Sequence, residues 1–205
     1  MDSKLAELAR LIDEWAGGLV SAPADELIED CLVLVDFITG ATTVVDVGSG
    51  GGLPGLPLRI AVPRLEVTLV EADSRKAAFL TQACARLGLA DVRVVGRRAE
   101  EAGHDASLRE SFDAAVARAL APMPVLAELC LPFVRVGGRL LAQKTRDEDL
   151  AAANRAITLL GGGPPRIHPA PSRARTEGVV VAVEKLTATP ASYPRRPGVP
   201  ARRPL

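Results

Sequence analysis

The chain has 205 residues, of which 48% are hydrophobic, as expected for one globular domain with a sizeable core. No apolar run approaches the roughly 20 residues of a membrane-spanning helix, and the acidic, periodic N-terminus lacks the pattern of a secretory signal. We therefore expect a cytoplasmic protein that contacts no membrane. The net charge of zero conceals a gradient: residues 1–45 carry nine acids and two bases, whereas residues 166–205 carry two acids and eight bases. The basic end predicts either a local anionic partner, such as a nucleic acid, or a solubilising tail.

The three cysteines, Cys31, Cys84 and Cys130, are widely spaced and odd in number. This spacing fits neither a C-x-x-C metal pair nor a disulfide framework. We expect buried reduced thiols and no bound metal. We separately expect the chain to be a monomer.

The predicted elements follow one another in a regular order. Residues 1–40 form a small acidic cap with helices over Leu5–Trp15 and Asp25–Phe37. Strands and helices then alternate through residues 41–188, which predicts an α/β fold whose mostly parallel central sheet carries helices on both faces. The predicted strands are Val44–Val47, Glu66–Glu71, Val92–Val95, Phe112–Ala117, Arg139–Gln143 and Val179–Glu184, and the predicted helices are Leu53–Ala61, Ser74–Leu87, Pro124–Phe133 and Asp147–Leu160. Residues 161–176 are predicted to be a loop, and residues 189–205 an extended Pro/Arg tail.

A glycine-rich turn follows the first predicted strand, in the sequence VVDVGSGGGLPGLPL that begins at Val44. Glycine lets the backbone approach a ligand closely, and ligands of doubly wound sheets bind at the carboxyl ends of the strands. The spacing Gly50-x-Gly52-x-x-Gly55 matches the dinucleotide fingerprint, with Glu71 as the acid that binds ribose. NAD is therefore one candidate ligand.

Two features of the same turn favour S-adenosylmethionine. Asp46 begins the pattern D-x-G-x-G-x-G with Gly48, Gly50 and Gly52, which resembles the first motif of class I methyltransferases. Pro54 and Pro57 remove backbone N–H groups that would otherwise face a pyrophosphate. Glu71, at the end of the second strand, could accept hydrogen bonds from both ribose hydroxyls of either ligand, or could be a solvated strand end.

One family resembles this chain over much of its length. The stretch DVGSGGGLPGLPL is similar to the ribosomal RNA small-subunit methyltransferase G family, also called the glucose-inhibited division protein B family. The resemblance continues to the C-terminus through VTLVEADSRKAAFL, GRRAEE, FDAAVARALAP, GGRLLAQKT and YPRRPGVPARRPL. It implies a Rossmann-like class I methyltransferase fold, S-adenosylmethionine as donor, and methylation of N7 of a guanine in the 530 loop of 16S rRNA.

The resemblance also implies site residues. Gly48 and Leu53 would contact the donor in the glycine turn, and Ala99 and Glu100 would lie beside the adenine. Arg118 would face the donor and the transfer site. The residues themselves agree on Arg118, since a charged side chain directly after the apolar run FDAAVA is expected at a strand tip that meets the pocket; a salt bridge to a nearby acid is the alternative.

The chemistry needs little acid–base assistance, because guanine N7 carries a free lone pair at neutral pH. We expect Arg118 and Lys144, at the tips of neighbouring strands, to position the guanine or its phosphate; Lys144 could also be a solvated strand end. In the tail, four arginines separated by prolines would follow RNA phosphates: Arg195, Arg196, Arg202 and Arg203.

Three other functions remain open at this stage. The chain could methylate a small molecule or a protein, or it could be a ribosome-associated RNA-binding protein without turnover. An NAD-dependent oxidoreductase is the third alternative.

Overall fold

The computed structural model describes residues 2–16 and 18–205, and its centre is a seven-stranded sheet in the order β3-β2-β1-β4-β5-β7-β6. The first five strands are mutually parallel, whereas β7 runs antiparallel to β5 and β6 antiparallel to β7. The strands are β1 (Thr43–Val47), β2 (Glu66–Val70), β3 (Val92–Val95), β4 (Phe112–Arg118), β5 (Val134–Thr145), β6 (Arg166–Pro169) and β7 (Gly178–Glu184).

Helices cover both faces of this sheet, which confirms the predicted Rossmann-like α/β fold. Adjacent residues of β1 show the two layers: Val44 packs in the hydrophobic cluster that holds the helices of the N-terminal half, and Val45 packs in the cluster that holds α6 and α7. The helices are α1 (Ser3–Glu14), α2 (Ala24–Leu32), α3 (Gly55–Ala61), α4 (Ser74–Leu87), α5 (Ala99–Ala102), α6 (Met123–Cys130), α7 (Leu150–Leu159) and α8 (Val199–Arg202).

Local signals set the ends of α4. Asp73 caps its first turn, where the side chain accepts hydrogen bonds from the backbone N–H groups of Arg75 and Lys76. Gly88 ends the helix in the left-handed conformation that glycine adopts most easily. The cap formed by α1 and α2 packs against this helix, with the rings of Trp15 and Phe79 5.1 Å apart edge to face.

Three sequence predictions of local structure are wrong. The second helix ends at Leu32, and a 3-10 turn at Val35–Ile38 follows it. The segment predicted as a loop contains β6, which hydrogen-bonds to β7 as an edge strand despite Pro169. The tail is not extended throughout, because α8 forms a helical turn at its end; Pro200 lies in the first turn, where its missing N–H breaks no helical hydrogen bond.

Two further predictions concern membrane-spanning helices and the state of the cysteines. No helix among residues 2–16 and 18–205 is long and apolar enough to cross a membrane. Cys31, Cys84 and Cys130 are all buried free thiols, as predicted.

Candidate active site

The glycine turn, residues 48–52, lies at the carboxyl end of β1, beside β4. This is the point where the strand order reverses, and ligands of open α/β sheets bind there. Gly48, Gly50 and Gly52 have φ values of +74°, +53° and +84°, in the region that side chains other than glycine rarely adopt. A Cβ at Gly48 would lie 2.5 Å from a methyl carbon of Leu120, so the turn also needs glycine for space.

Asp46 is fully buried behind the glycine turn and lines neither of the cavities described below. Its Oδ2 accepts a hydrogen bond of 2.8 Å from the backbone N–H of Gly55, which fixes the start of α3 against the turn. Burial raises the pKa of Asp46 to about 7; the Gly55 hydrogen bond opposes this rise, and the charge of Glu71 adds to it. The contacts of Asp46 are therefore those of a residue that shapes the site from behind.

Two cavities meet at the glycine turn. The first, here called the cap cavity, has a volume of about 540 Å³ and lies between the turn, residues 18–21 of the cap and Arg118. The second, the tail cavity, has a volume of about 410 Å³ and is bounded by Glu71, Glu100 and the C-terminal tail. Four residues line both cavities: Gly48, Gly50, Lys76 and Ala119.

Strained backbone lies at this junction. Ala119, directly after Arg118, has a φ of +51°. A residue with a Cβ in that conformation is disfavoured, and such residues are found mostly at functional sites.

The carboxylates of the tail cavity are held by backbone N–H groups. Glu71 Oε2 accepts from Gly50 and Oε1 from Asp73, each at 2.8 Å, and Glu71 is only 9% exposed. Glu100, at the start of α5, is 8% exposed and accepts from the backbone N–H of Gly198 at 2.9 Å. The structure thus brings both predicted acids and Ala99 to one cavity. Carboxylate oxygens facing a cavity can accept the hydroxyl and amino hydrogens of a nucleoside.

Arg118 extends from the tip of β4 into the wall of the cap cavity. Its Nε donates a hydrogen bond of 3.2 Å to Oδ2 of Asp30, which is fully buried on α2. Asp30 also accepts from Arg175 Nε at 2.9 Å and from the Ser172 hydroxyl at 2.6 Å. Burial would raise the pKa of Asp30, but the hydrogen bonds from Arg175, Ser172 and Arg118 outweigh burial and hold that pKa below its ordinary value.

Arg118 therefore forms a salt bridge with Asp30 and also lines the cap cavity, and its contact with donor and substrate stays a prediction. In the part of the chain that the structure describes, Nε is the only guanidinium nitrogen of Arg118 with a protein hydrogen-bond partner. The two Nη groups are left for a ligand in the cap cavity.

Lys144, the second residue expected to touch the substrate, lines neither cavity. Its ammonium group forms an ion pair of 2.9 Å with Glu148 and donates a hydrogen bond to the carbonyl of Ala121. Glu148 in turn accepts from the backbone N–H of Met123. These contacts place Lys144 behind the loop between β4 and α6, where it supports the wall of the tail cavity.

The tail folds back onto the domain, and its four arginines differ in their surroundings. Arg195 forms a bidentate pair with Glu128, a fully buried carboxylate of α6, with the closest contact at 2.6 Å. The Arg195 guanidinium is thereby used within the protein, which was not expected from the sequence. Arg196, Arg202 and Arg203 are exposed.

Sequence reasoning about function missed several residues that line these cavities, among them Lys76, Gly198 and Ala201. Lys76 lies in the first turn of α4, and only the position of that helix after β2 hints that this residue lines both cavities. Gly198 and Ala201 line the tail cavity from the tail, for which the sequence holds no local signal. Among the described residues, no group of three or more His, Cys, Asp and Glu side chains is arranged to hold a metal ion.

The site fits S-adenosylmethionine. Glycines occupy four of the five positions of the turn, so its backbone is open to a ligand at Gly48 and Gly50, and two carboxylates face a cavity of nucleoside size beside it. The prolines that follow the turn reduce the N–H groups offered to a pyrophosphate. Fold and site together define a methyltransferase that uses S-adenosylmethionine.

Comparison with known proteins identifies the family. The sequence model of the family described as rRNA small subunit methyltransferase G matches residues 7–175. The chain is 43% identical over 181 residues to the ribosomal RNA small subunit methyltransferase G of Chloroflexus aggregans, covering 87% of this chain and 76% of the relative. It is 47% identical over 177 residues to that of Moorella thermoacetica, covering 85% and 74%. The chain belongs to the rRNA small subunit methyltransferase G family.

A solved structure agrees with the fold. An O-methyltransferase from Bacillus cereus in complex with SAH superimposes with a TM-score of 0.62 at 19% identity, covering 90% of this chain and 92% of the other. A similarity at this level of identity supports the fold alone.

Proposed function

We propose that this enzyme transfers a methyl group from S-adenosylmethionine to N7 of a guanine in the 530 loop of 16S rRNA, in the cytoplasm and as a monomer. The observation that carries the proposal is the meeting of two cavities at one glycine turn. One cavity presents carboxylates suited to a nucleoside, and the other presents a guanidinium suited to RNA. Donor and acceptor can therefore approach each other across Gly48 and Gly50.

The donor is assigned to the tail cavity. The Glu71 carboxylate would accept the ribose hydroxyls, and Ala99 and Glu100 would flank the adenine. Gly48 lines both cavities and Leu53 lines the cap cavity, into which the methionine portion would extend. Asp46 and Gly52 support the donor indirectly, because Asp46 holds α3 and Gly52 leaves space for Leu56.

The target guanine is assigned to the cap cavity. The cavity has one apolar wall, formed by Leu19, Val20 and Leu27, against which a base can pack. The two Nη groups of Arg118 could donate to guanine O6 or to a phosphate. A hydrogen bond from Arg118 to O6 would hold the base in a fixed orientation and leave the N7 lone pair free to react.

The chain's contribution to the reaction is mainly orientation. S-adenosylmethionine supplies a methyl group already activated by the positive sulfur, and N7 needs no deprotonation. Alignment of reacting groups can lower a barrier by roughly 7–11 kcal/mol. Arg118 would act as the catalytic residue that touches the substrate, and Lys144 as a positioning residue that acts through Ala121.

Exposed arginines would hold the RNA. Arg196, Arg202 and Arg203 lie on the tail segment beside the tail cavity. Phosphate contacts of this kind give affinity that falls steeply with salt and carry little sequence information.

Transfer of label tests the proposal. The enzyme is incubated with methyl-labelled S-adenosylmethionine and small ribosomal subunits that lack the modification, with large subunits, tRNA and total protein as competing acceptors. Label in 16S rRNA alone supports the proposal. Arg118→Ala should reduce the transfer rate but should still bind S-adenosylhomocysteine (SAH), the product left when the donor loses its methyl group. Label in protein or in small molecules would refute it.

A further inference from the structure

The distal tail, residues 195–203, lies against the cavity assigned to the donor. Gly198 and Ala201 line the tail cavity together with Glu71 and Glu100 from the sheet side. This segment comes from the C-terminal end of the chain, far in sequence from the glycine turn. Its contacts show how it is held there.

The base of the tail is fixed by a dense set of hydrogen bonds. The guanidinium of Arg109 donates to the backbone carbonyls of Thr189, Pro190 and Tyr193. The ring of His104 is hydrogen-bonded to the carbonyl of Pro194 at 2.7 Å. The tail therefore leaves the domain in a set direction, toward α6 and α5.

Two sets of hydrogen bonds join the distal tail to the domain, and Pro200 of α8 is buried beside them. Arg195 pairs with Glu128, and its Nη2 also donates to the carbonyl of Arg203 at 2.8 Å, which folds the segment into a closed loop. Glu128 is fully buried, so without Arg195 its charge would lack a partner. The ion pair therefore favours the docked position of the tail.

The second contact reaches the donor site itself. The backbone N–H of Gly198 donates to Glu100 Oε1 at 2.9 Å. Glu100 has no other hydrogen-bond donor among the residues that the structure describes, so Oε2 is left to accept from a ligand. The tail thus orients the carboxylate that flanks the adenine position.

We propose that the distal tail is part of the donor site: it closes the adenine end of the tail cavity, and donor binding and tail docking stabilise each other. The inference rests on the proposed placement of adenosine in that cavity. The docked tail supplies one wall of the cavity, so a donor that contacts this wall binds more tightly when the tail is docked. Because the coupling is reciprocal, donor binding favours the docked tail by the same free energy. Arg195 and Glu128 are then positioning residues for the donor.

Hydrogen exchange of the full chain with and without SAH tests the coupling. We expect SAH to slow amide exchange in residues 48–53 and also in residues 195–203. Slower exchange in residues 48–53 with no change in residues 195–203 would overturn the inference.

Calorimetry of SAH binding to variants gives an independent test. The double variant Arg195→Met/Glu128→Met removes the ion pair without leaving a buried charge, and we expect its Kd for SAH to rise at least tenfold. The matched control, Arg166→Met/Glu184→Met, removes an exposed pair on the β6–β7 edge and should leave the Kd within twofold. Wild-type affinity in the first double variant would overturn the inference.

A single substitution at the surface tests the same inference if the double variant does not fold. Ala201 is exposed and lines the tail cavity, so the indole of Ala201→Trp would fill the adenine end. We expect at least a tenfold loss of SAH affinity, with Ala191→Trp, at an exposed position of the tail base, as the control. Unchanged binding by Ala201→Trp would contradict the placement of the tail at the donor. These experiments measure SAH binding and do not depend on methyl transfer. If the tail and SAH binding prove to be coupled but the enzyme does not label 16S rRNA, only the proposed function is refuted.

Discussion

The Nε of Arg118 lies 3.2 Å from Oδ2 of Asp30, and this contact joins the N-terminal cap to the tip of β4. Asp30 belongs to α2, and its backbone carbonyl also accepts a hydrogen bond of 2.8 Å from the side chain of Gln143 on β5. The cap is therefore bonded to the strands that carry the site. The orientation of Arg118 depends on a residue 88 positions away in sequence.

Asp30→Asn should impair both turnover and stability. The substitution keeps the shape of the side chain but removes the charge that holds Arg118 and Arg175. We expect a 10- to 100-fold lower kcat with little change in SAH affinity, because only the orientation of the transfer site is affected. Breaking a buried pair should also lower the free energy of unfolding by about 3 kcal/mol, measured by urea denaturation.

Glu29→Gln provides the control for that variant. Glu29 is the neighbouring acid on α2, and its partner Arg173 is exposed. Loss of this surface pair should change the free energy of unfolding by less than about 0.5 kcal/mol. Equal effects of Glu29→Gln and Asp30→Asn would contradict a specific role for Asp30.

Glu71→Gln should weaken donor binding. The amide keeps one acceptor oxygen but loses the charge that strengthens hydrogen bonds from Gly50 and from ribose hydroxyls. Hydrogen bonds to charged groups contribute about 1.5–3 kcal/mol, so the Kd for SAH should rise about 10- to 100-fold by calorimetry. Glu66→Gln, at the exposed opposite end of β2, is the control and should bind SAH as the wild type does.

Asp46 should make stability depend on pH. Its pKa is about 7 in the folded protein, above that of an unfolded aspartate, because burial disfavours the charged carboxylate. Folding therefore takes up a proton between pH 4 and pH 7, and the stability that Asp46 contributes falls as the pH rises through that range. The free energy of unfolding of the wild type, relative to Asp46→Asn, should decrease from pH 4 to pH 7. A difference that stays constant with pH would show that Asp46 ionises normally.

The exposed tail arginines should control RNA affinity through salt. Each of Arg196→Ala, Arg202→Ala and Arg203→Ala should weaken binding to small subunits. Each should also reduce the slope of log K against log salt by about 0.7–0.9 if it removes one phosphate contact. Arg64→Ala changes an exposed arginine that precedes the amino end of β2, opposite the carboxyl ends of the strands that carry the site, and should leave the slope unchanged. Equal slopes in all four variants would place the RNA elsewhere.

The alternation of strands and helices predicted the fold well, because β1, β2 and β4 are short, largely buried apolar runs and helical patterns separate the strands. The glycine turn was also predictable, because glycines directly after a strand allow the positive φ values of a tight turn. Glu71 was predictable because it directly follows the neighbouring strand β2 and therefore lies at the same end of the sheet. Lys144 was placed at the correct strand tip, yet its side chain turns to Glu148 and Ala121, a choice made by long-range partners.

The tail shows the limit of sequence patterns most clearly. Prolines and arginines indicated an extended, solvated segment, but a single buried acid on α6 binds Arg195 and folds the tail over the site. Glu128 lies in the apolar helix MPVLAELC, and nothing near it in sequence identifies its partner. Contacts between distant segments of this kind also decide which residues surround Glu100.

Identifying the methylated atom tests the proposed methyl transfer to guanine N7. Small subunits lacking the modification are treated with the enzyme and S-adenosylmethionine, and the 16S rRNA is digested to nucleosides and to fragments for mass spectrometry. We expect one 7-methylguanosine per 16S rRNA, located in the 530 loop, and its loss with Arg118→Ala. A methyl group on another atom or another base, or none in the presence of bound donor, would contradict the proposed transfer.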